Sequence, residues 1–505
     1  MNAPARTVRR TRGIRCWPVI GVAALVSGCM SPPLPVDVAT PWTPTERARA
    51  PVGTWSAVRA QTPDLSKPIA LAEMADLALR NNPSSARAWN DARAAAEHAT
   101  GTRGYLMPTI TGTARANWQR TTAQPDTFDQ DYLRYGPGLQ MNYLLLNFGG
   151  GTGAAVEQAL QTVYAADFAF NRAIQDVLLA VELAYYGLLS AQAGVEAAEA
   201  NVADAKAALD AAQTRNQAGV GTDLDVLQAQ SAYDQALYGR ASAQGQFKIA
   251  GGALALTLGL PADAAVKPAP LTADVPPPIA EPDLRRMIDE AIARRPDVAA
   301  LRAAVKARQA AVRVAGAQLW PSLYLTGSVN RDYGENLLDQ GAQGSSPLGG
   351  VADNDWSYGA GLSLQWTLFD GLQTLSARRA AMADLDSARA QLKQAELAAS
   401  GDVWSRYQNY AAALEKYTFS DAFLKSASAA YDLALDAYKA GLRSVLDLLN
   451  AETQRAQARS QFVATRHEVF SALANLAYAA GLLEKGGGAQ AHAILSAPTQ
   501  TEAKP

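Results

Sequence analysis

The stretch Gln217-Ala218-Gly219-Val220-Gly221-Thr222-Asp223-Leu224-Asp225-Val226-Leu227-Gln228-Ala229-Gln230 returns, without a gap, as Lys439-Ala440-Gly441-Leu442-Arg443-Ser444-Val445-Leu446-Asp447-Leu448-Leu449-Asn450-Ala451-Glu452. The two copies lie between Ala-rich segments of helical period and carry the same punctuation. Gly219 or Gly441 suits the left-handed residue that ends a helix. Thr222-x-x-Asp225 or Ser444-x-x-Asp447 has the form of a capping box that opens the next one. Each copy therefore reads as the tight tip of a long helical hairpin, at 217–225 and 439–447.

Outward from the first tip, helical period extends back to about Ala154, some sixty residues and so on the order of 90 Å. It returns as far as about Leu258. The second hairpin runs from Leu372 to Lys439 and back from Val445 to about Leu482. Ahead of each long helix the period drops to two. Ile110, Gly112, Ala114, Ala116 and Trp118 alternate with Thr109, Thr111, Thr113, Arg115 and Asn117. Similar alternation predicts strands at about 107–119, 135–147, 321–333 and 355–369, of the length that crosses a bilayer when tilted. Gly149-Gly150-Gly151-Thr152-Gly153 is read as a strand-to-helix hinge, since no Gly-Lys-Ser/Thr follows to make it a phosphate loop.

The duplication extends beyond the tips. Leu284, Met287, Ala291, Pro296, Ala299, Leu319 and Pro321 match Leu71, Met74, Ala78, Pro83, Ala86, Leu106 and Pro108 at a constant offset. The chain thus divides into an extended Pro-rich segment (29–67), repeat 1 (68–258), a Pro-rich connector (259–282), repeat 2 (283–482) and a low-complexity tail (483–505) expected to be disordered.

Aromatic residues make up 7% and charged residues 18% of the chain, which with its abundant alanine suits close-packed long helices rather than one thick core. A formal net charge of −2 gives no reason to expect nucleic acid. The two cysteines, Cys16 and Cys29, provide no disulfide framework. The absence of an apolar run of about 18 residues predicts no transmembrane helix. His98, His467 and His492 are far apart and lack nucleophile or metal-ligand spacing. They read as surface residues of helix or tail, so no catalytic site, metal, cofactor or enzyme activity is expected.

The N-terminus carries Arg6, Arg9, Arg10, Arg12 and Arg15 ahead of a short apolar stretch, Trp17 to Val26, and residues 1–28 read as a signal peptide. Leu25-Val26-Ser27-Gly28-Cys29 resembles the bacterial lipobox, which implies a covalent lipid on Cys29; the other reading is an ordinary signal peptide with a chance cysteine. Met30 after the cysteine resembles lipoproteins sorted to the outer membrane. One acylated residue anchors only marginally, so a second membrane element is expected. Four amphipathic strands cannot close a barrel alone, and open edges are not tolerated in lipid, so chains must pool their strands around a polar lumen.

The chain resembles the TolC-like outer-membrane efflux protein family over essentially its whole mature length. The resemblance rests on Asn82-Pro83, Arg295-Pro296, the strand ends Tyr143-Leu144-Leu145-Leu146-Asn147-Phe148-Gly149 and Trp366-Thr367-Leu368-Phe369-Asp370-Gly371, and the two tips. It implies a mixed α and β membrane protein: a homotrimer with a twelve-stranded transmembrane β-barrel, four strands per chain, continued by a periplasmic α-helical barrel with an equatorial connector. It further implies an outer-membrane channel of a tripartite efflux system, lipid-anchored and barrel-inserted, docked to a periplasmic adaptor protein and an inner-membrane transporter. Such a channel is a passive exit duct for drugs, metals or other small molecules; the lipobox resembles the lipoprotein branch serving pumps of the resistance-nodulation-division type.

By the same resemblance a gate at the periplasmic aperture falls on Asp225, Tyr438, Arg443, Asp447, Asn450 and Arg466. Asp225 and Asp447 are equally readable as helix caps alone. Asn450 stands where relatives carry a second carboxylate. Two rival functions remain: an outer-membrane port for type I polypeptide secretion, and a lipid-anchored coiled-coil scaffold or adaptor, which would need no amphipathic strands.

Overall fold

A computed structural model describes residues 67–122, 129–270, 275, 281–336 and 354–483, all within the compact unit Val38–Pro505. The expected signal peptide, Cys29 with the lead that follows it, residues 123–128 and 337–353, most of the expected connector and the C-terminal segment with His492 lie outside these residues.

Repeat 1 comprises α1 (Leu71–Asn81), α2 (Pro83–Arg103), β1 (Thr109–Thr122), β2 (Asp129–Asn147), α3 (Gly151–Gln217) and α4 (Asp223–Thr257). Repeat 2 comprises α5 (Glu281–Arg294), α6 (Pro296–Ala317), β3 (Ser322–Asn336), β4 (Asn354–Gln365), α7 (Gln373–Lys439) and α8 (Val445–Ala479). Pro83 and Pro296 each stand at the first position of a helix, where a missing N–H costs nothing and the fixed φ helps. Asn82 caps α2 by accepting the Ser84 N–H at 2.9 Å. Its amide also donates to the Thr257 carbonyl at 3.1 Å, so one side chain starts α2 and finishes α4.

The hairpin arms are unequal, and their ends fall within a few residues of those read from the helical period. α3 and α7 have 67 residues each, while α4 and α8 have 35, roughly 100 Å against 52 Å. Gly259 and Gly481, with φ of 73° and 70°, turn the return helices off halfway. Beyond that level α3 packs on α2 and α6, and α7 packs on α6. At the same level Arg295, only 4% exposed, donates to Asp297 at 2.7 and 3.1 Å and to Asp402 at 3.1 Å. Those charge-assisted bonds tie the start of α6 to α7. The connector is stitched here too: Ile69 pairs with Pro268, and the Tyr185 hydroxyl donates to the Ala269 carbonyl at 2.8 Å.

The main core lies at this waist, around Met74, Val181, Leu188, Leu254, Leu258, Tyr410 and Leu473. A second cluster near the tips joins the two hairpins through Ala208, Leu209, Ala212, Tyr431, Tyr438 and Leu448. Contrary to expectation, α3 contains one window long and apolar enough to cross a membrane by composition. Its Val177, Leu178, Val181, Leu188 and Leu189 are buried against protein.

The four strands form one antiparallel sheet in the order β1-β2-β3-β4. The register aligns Ile110, Met141, Gly327 and Ala360 in one row and Gly112, Leu139, Val329 and Tyr358 in the next. Because side chains alternate, these rows share one face; Ile110, Leu139, Tyr358, Leu362 and Leu364 are exposed on it. The other face is polar, with Arg115 donating to Asn330 at 2.9 Å.

Strand limits differ from the expected ones. β2 starts at Asp129 rather than near 135, because pairing of Asp129 and Gln130 with Thr122 and Thr121 carries a polar stretch into the ladder. β4 stops at Gln365 rather than near 369, since Trp366 leaves to donate its indole N–H to the Leu319 carbonyl at 3.1 Å. A bulge between Leu144 and Leu146 moves the parity by one, so Leu146, not Leu145, pairs with Leu323.

Candidate functional site

The two hairpin tips are built alike. Gly219 and Gly441 adopt φ of 76° and 78°, the left-handed conformation that glycine takes without a Cβ penalty. The Val220 and Gly221 N–H groups both reach back to the Arg215 carbonyl at 3.0 Å, and Leu442 N–H reaches Ala437 at 2.8 Å, satisfying the last carbonyls of α3 and α7. Asp225 then accepts the Thr222 N–H at 3.1 Å and donates its own N–H to the Thr222 hydroxyl at 3.2 Å. Asp447 and Ser444 repeat the arrangement. The Ser444 N–H and hydroxyl hold the Asp447 carboxyl below the usual carboxylate range, with Arg443 adding to the effect.

Tyr438 is 2% exposed. Burial raises its hydroxyl pKa, the Asp225 charge raises it further, and Arg215 opposes both. That pattern places Tyr438 of the second hairpin beside Asp225 of the first. Its hydroxyl has no hydrogen-bond partner among the described residues. Arg443 and Asn450 are exposed at the same end, and among the described residues Arg443 forms no ion pair within the chain. Asp225, Tyr438, Arg443, Asp447 and Asn450 thus gather at the tip. Arg466 does not: it is exposed on α8 nineteen residues past Asp447, roughly 30 Å up the helix.

Sequence reasoning missed the residues that join the hairpins. Arg215 donates to the Tyr438 carbonyl at 2.6 Å and to the Val220 carbonyl at 3.3 Å. Its guanidinium also lies 4.9 Å from the centre of the Tyr438 ring. Higher up, Asp204 of α3 meets Arg455 and Arg459 of α8. Counting from the tips would have found them. Asp204 lies fifteen residues before Gly219, and Arg455 fourteen after Gly441, so opposite charges fall at one height.

His467, expected at the surface, is 9% exposed; it sits on the face of α8 that carries Val469 and Phe470 into the core, and burial, with the Arg466 charge, lowers its pKa. His98 is exposed. Among the described residues no group of three or more His, Cys, Asp or Glu could hold a metal ion.

An antiparallel sheet with one exposed apolar face, continued by long helical hairpins with capped, cross-braced tips, defines the class as a membrane channel built from strands and helical hairpins. The chain belongs to the outer membrane efflux protein family, whose sequence model matches it twice, over residues 74–260 and 287–482. Protein CyaE of Bordetella pertussis is 29% identical over 397 residues, covering 78% of this chain and 80% of CyaE. The alkaline protease secretion protein AprF of Pseudomonas aeruginosa is 25% identical over 427 residues, covering 81% and 84%. The crystal structure of outer membrane protein VceC from Vibrio cholerae shares the fold with a TM-score of 0.69 at 21% identity, over 81% of this chain and 96% of VceC. The protein is an outer-membrane efflux channel.

Proposed function

We propose that three copies close a twelve-stranded barrel whose apolar faces meet lipid, with the hairpins forming a helical tube below it. The observation that carries this reading is the sheet: one face is apolar over the rows of Tyr143, Met141 and Leu139 and their partners, and both β1 and β4 leave an edge that lipid cannot satisfy. Trp118 and Trp356 mark its loop end, and Phe148 and Trp366 its helical end. Trp356 and Trp366 are ten residues apart, about 33 Å along a strand. At a tilt of about 40° that is roughly 25 Å of height, the apolar band of outer-membrane barrels.

In this reading the tube is a passive duct for small molecules such as drugs or metals. Its resting tip is narrowed by the Asp225, Tyr438, Arg443 and Asp447 ring, with the exposed Leu224, Leu227, Leu442 and Leu446 available to a periplasmic adaptor that links an inner-membrane transporter. A lipid on Cys29 adds a second anchor. Mass measurement in mild detergent tests the assembly: three chains per particle are expected, and a conducting monomer would refute it. A second reading, an exit port for polypeptides, is favoured by the likeness to AprF. Deleting the gene and comparing secreted proteins with drug and metal sensitivity separates the two.

A further inference from the structure

Above the tip, α3 of the first hairpin meets α7 and α8 of the second along a seam. Ala205, Ala208 and Ala212 are fully buried at one-face spacing, and the backbones approach closely there. Roughly 20 Å above the turn the seam carries a polar cluster. Asp204 accepts from Arg459 at 3.0 Å and lies 3.4 Å from Arg455. Arg455 also pairs with Asp432 at 3.3 Å and lies 4.6 Å over the Tyr431 ring. The Tyr431 hydroxyl donates to the Asp204 carbonyl at 2.9 Å.

Against this cluster lies Glu452 of α8, 9% exposed, with its Oε2 buried and without a hydrogen-bond partner among the described residues. The groups around it are Asp204 from α3, Tyr431 and Asp432 from α7, and Arg455 one turn on along α8, with Arg459 beyond. From α4, Tyr233 packs against the adjoining apolar cluster. Both arginines are engaged by Asp204, so an ionised Glu452 has no cation of its own. Burial first, and the Asp204 charge second, push its carboxyl up to about 7.

We propose that Glu452 is a proton-operated catch between the two hairpins: protonated it lets α8 lie against α3, and its ionisation parts them and loosens the tip. The inference rests on the gated-tip reading above. Its sign follows from linkage. The closed seam holds the Glu452 proton up to about pH 7, whereas a solvated glutamate loses it near pH 4.3. Closure is therefore fully supported below the lower value and progressively lost as pH rises to the upper one. From pH 5 to 8 the closed-to-open ratio falls by up to about a hundredfold per chain.

The test uses the assembled protein in lipid nanodiscs, with spin labels on Lys206→Cys of α3 and Gln457→Cys of α8, both exposed positions. The α3–α8 distance should lengthen between pH 5.5 and 8 and stay short at both in Glu452→Gln. Planar-bilayer conductance should rise over the same range in the parent and be flat in Glu452→Gln. A distance that ignores pH in the parent, or responds equally in Glu452→Gln, overturns the catch. A distance that responds while conductance does not overturns the gated tip instead, and with it the coupling of catch to pore. Asp204→Ala, which removes the carboxylate that both arginines of α8 share on α3, should lengthen the distance at either pH; no change there also counts against the seam.

Discussion

Arg215, at the end of the first long helix, donates a 2.6 Å hydrogen bond to the carbonyl of Tyr438, at the end of the second. The bond spans the two hairpins at the point where both chains turn, and its charged donor makes it one of the stronger contacts there. Losing a charge-assisted bond of this kind costs about 1.5–3 kcal/mol. Arg215→Ala should therefore raise single-channel conductance in planar bilayers and increase antibiotic leakage into cells, with Arg215→Lys intermediate. Tyr438→Phe alone should change thermal stability little, since the hydroxyl it removes has no hydrogen-bond partner among the described residues. Combined with Arg443→Ser it should raise conductance if these side chains close the ring between chains.

The two tip glycines should respond differently to the same substitution. A Cβ at Gly219 meets nothing within 4 Å, whereas one at Gly441 lies 3.1 Å from Nη1 of Arg215. Both substitutions suffer the left-handed backbone penalty of about 1–2 kcal/mol. Only Gly441→Ala also displaces the Arg215 bridge. Thermal melts in detergent should show Gly441→Ala melting lower than Gly219→Ala, and equal melting temperatures would argue against the bridge.

Asp167 on α3 is 3% exposed, and burial alone pushes its carboxyl up to about 6. The folded chain thus holds a proton that the unfolded chain, near pH 3.8, releases. Stability should be highest below that lower value and decline as pH rises towards 6, by at most about 3 kcal/mol per chain. Asp167→Asn should flatten the fall in melting temperature between pH 4 and 7, and should melt higher than the parent at pH 8.

Labelled palmitate should appear on the wild-type protein and vanish in Cys29→Ala, as the lipobox-like Leu25-Val26-Ser27-Gly28-Cys29 requires. If the variant is processed by another route, its barrel strands should still carry it to the outer membrane.

Tips, strands and the duplication were legible in the sequence because each depends on local rules: Gly219 and Gly441 on φ, Thr222 and Ser444 on capping, and Ile110 to Trp118 on a period of two. The capping role of Asp225 and Asp447 was legible for the same reason. The braces Arg215–Tyr438 and Asp204–Arg455 were not, because they join residues more than two hundred positions apart on helices whose period leaves several faces equally polar. Strand ends failed where a neighbour, not composition, decided them, as with Asp129 and Trp366. The short return arms were legible in the helical period, but the packing of α2 and α6 on the rest of α3 was not, because it joins helices far apart in the chain. His467 was misplaced because one polar residue does not reveal which face of a long helix turns inward.

The middle of the sheet has a consequence for how the protein is made. β1 pairs with β2, and β3 with β4, as neighbours in the chain, but β2 finds β3 only through pairs such as Tyr143 with Leu325. Those partners are separated by an entire hairpin, a closure that is slow because its entropy is lost before its bonds form. The first strand pair must therefore wait, with an apolar face and bare edges, until the second has been synthesised and exported. An apolar strand pair waiting in this way is a template for aggregation. Chains emerging across the inner membrane should depend on a holding chaperone during that interval, and variants that slow the repeat 2 strands should be degraded rather than accumulate as half-built channels.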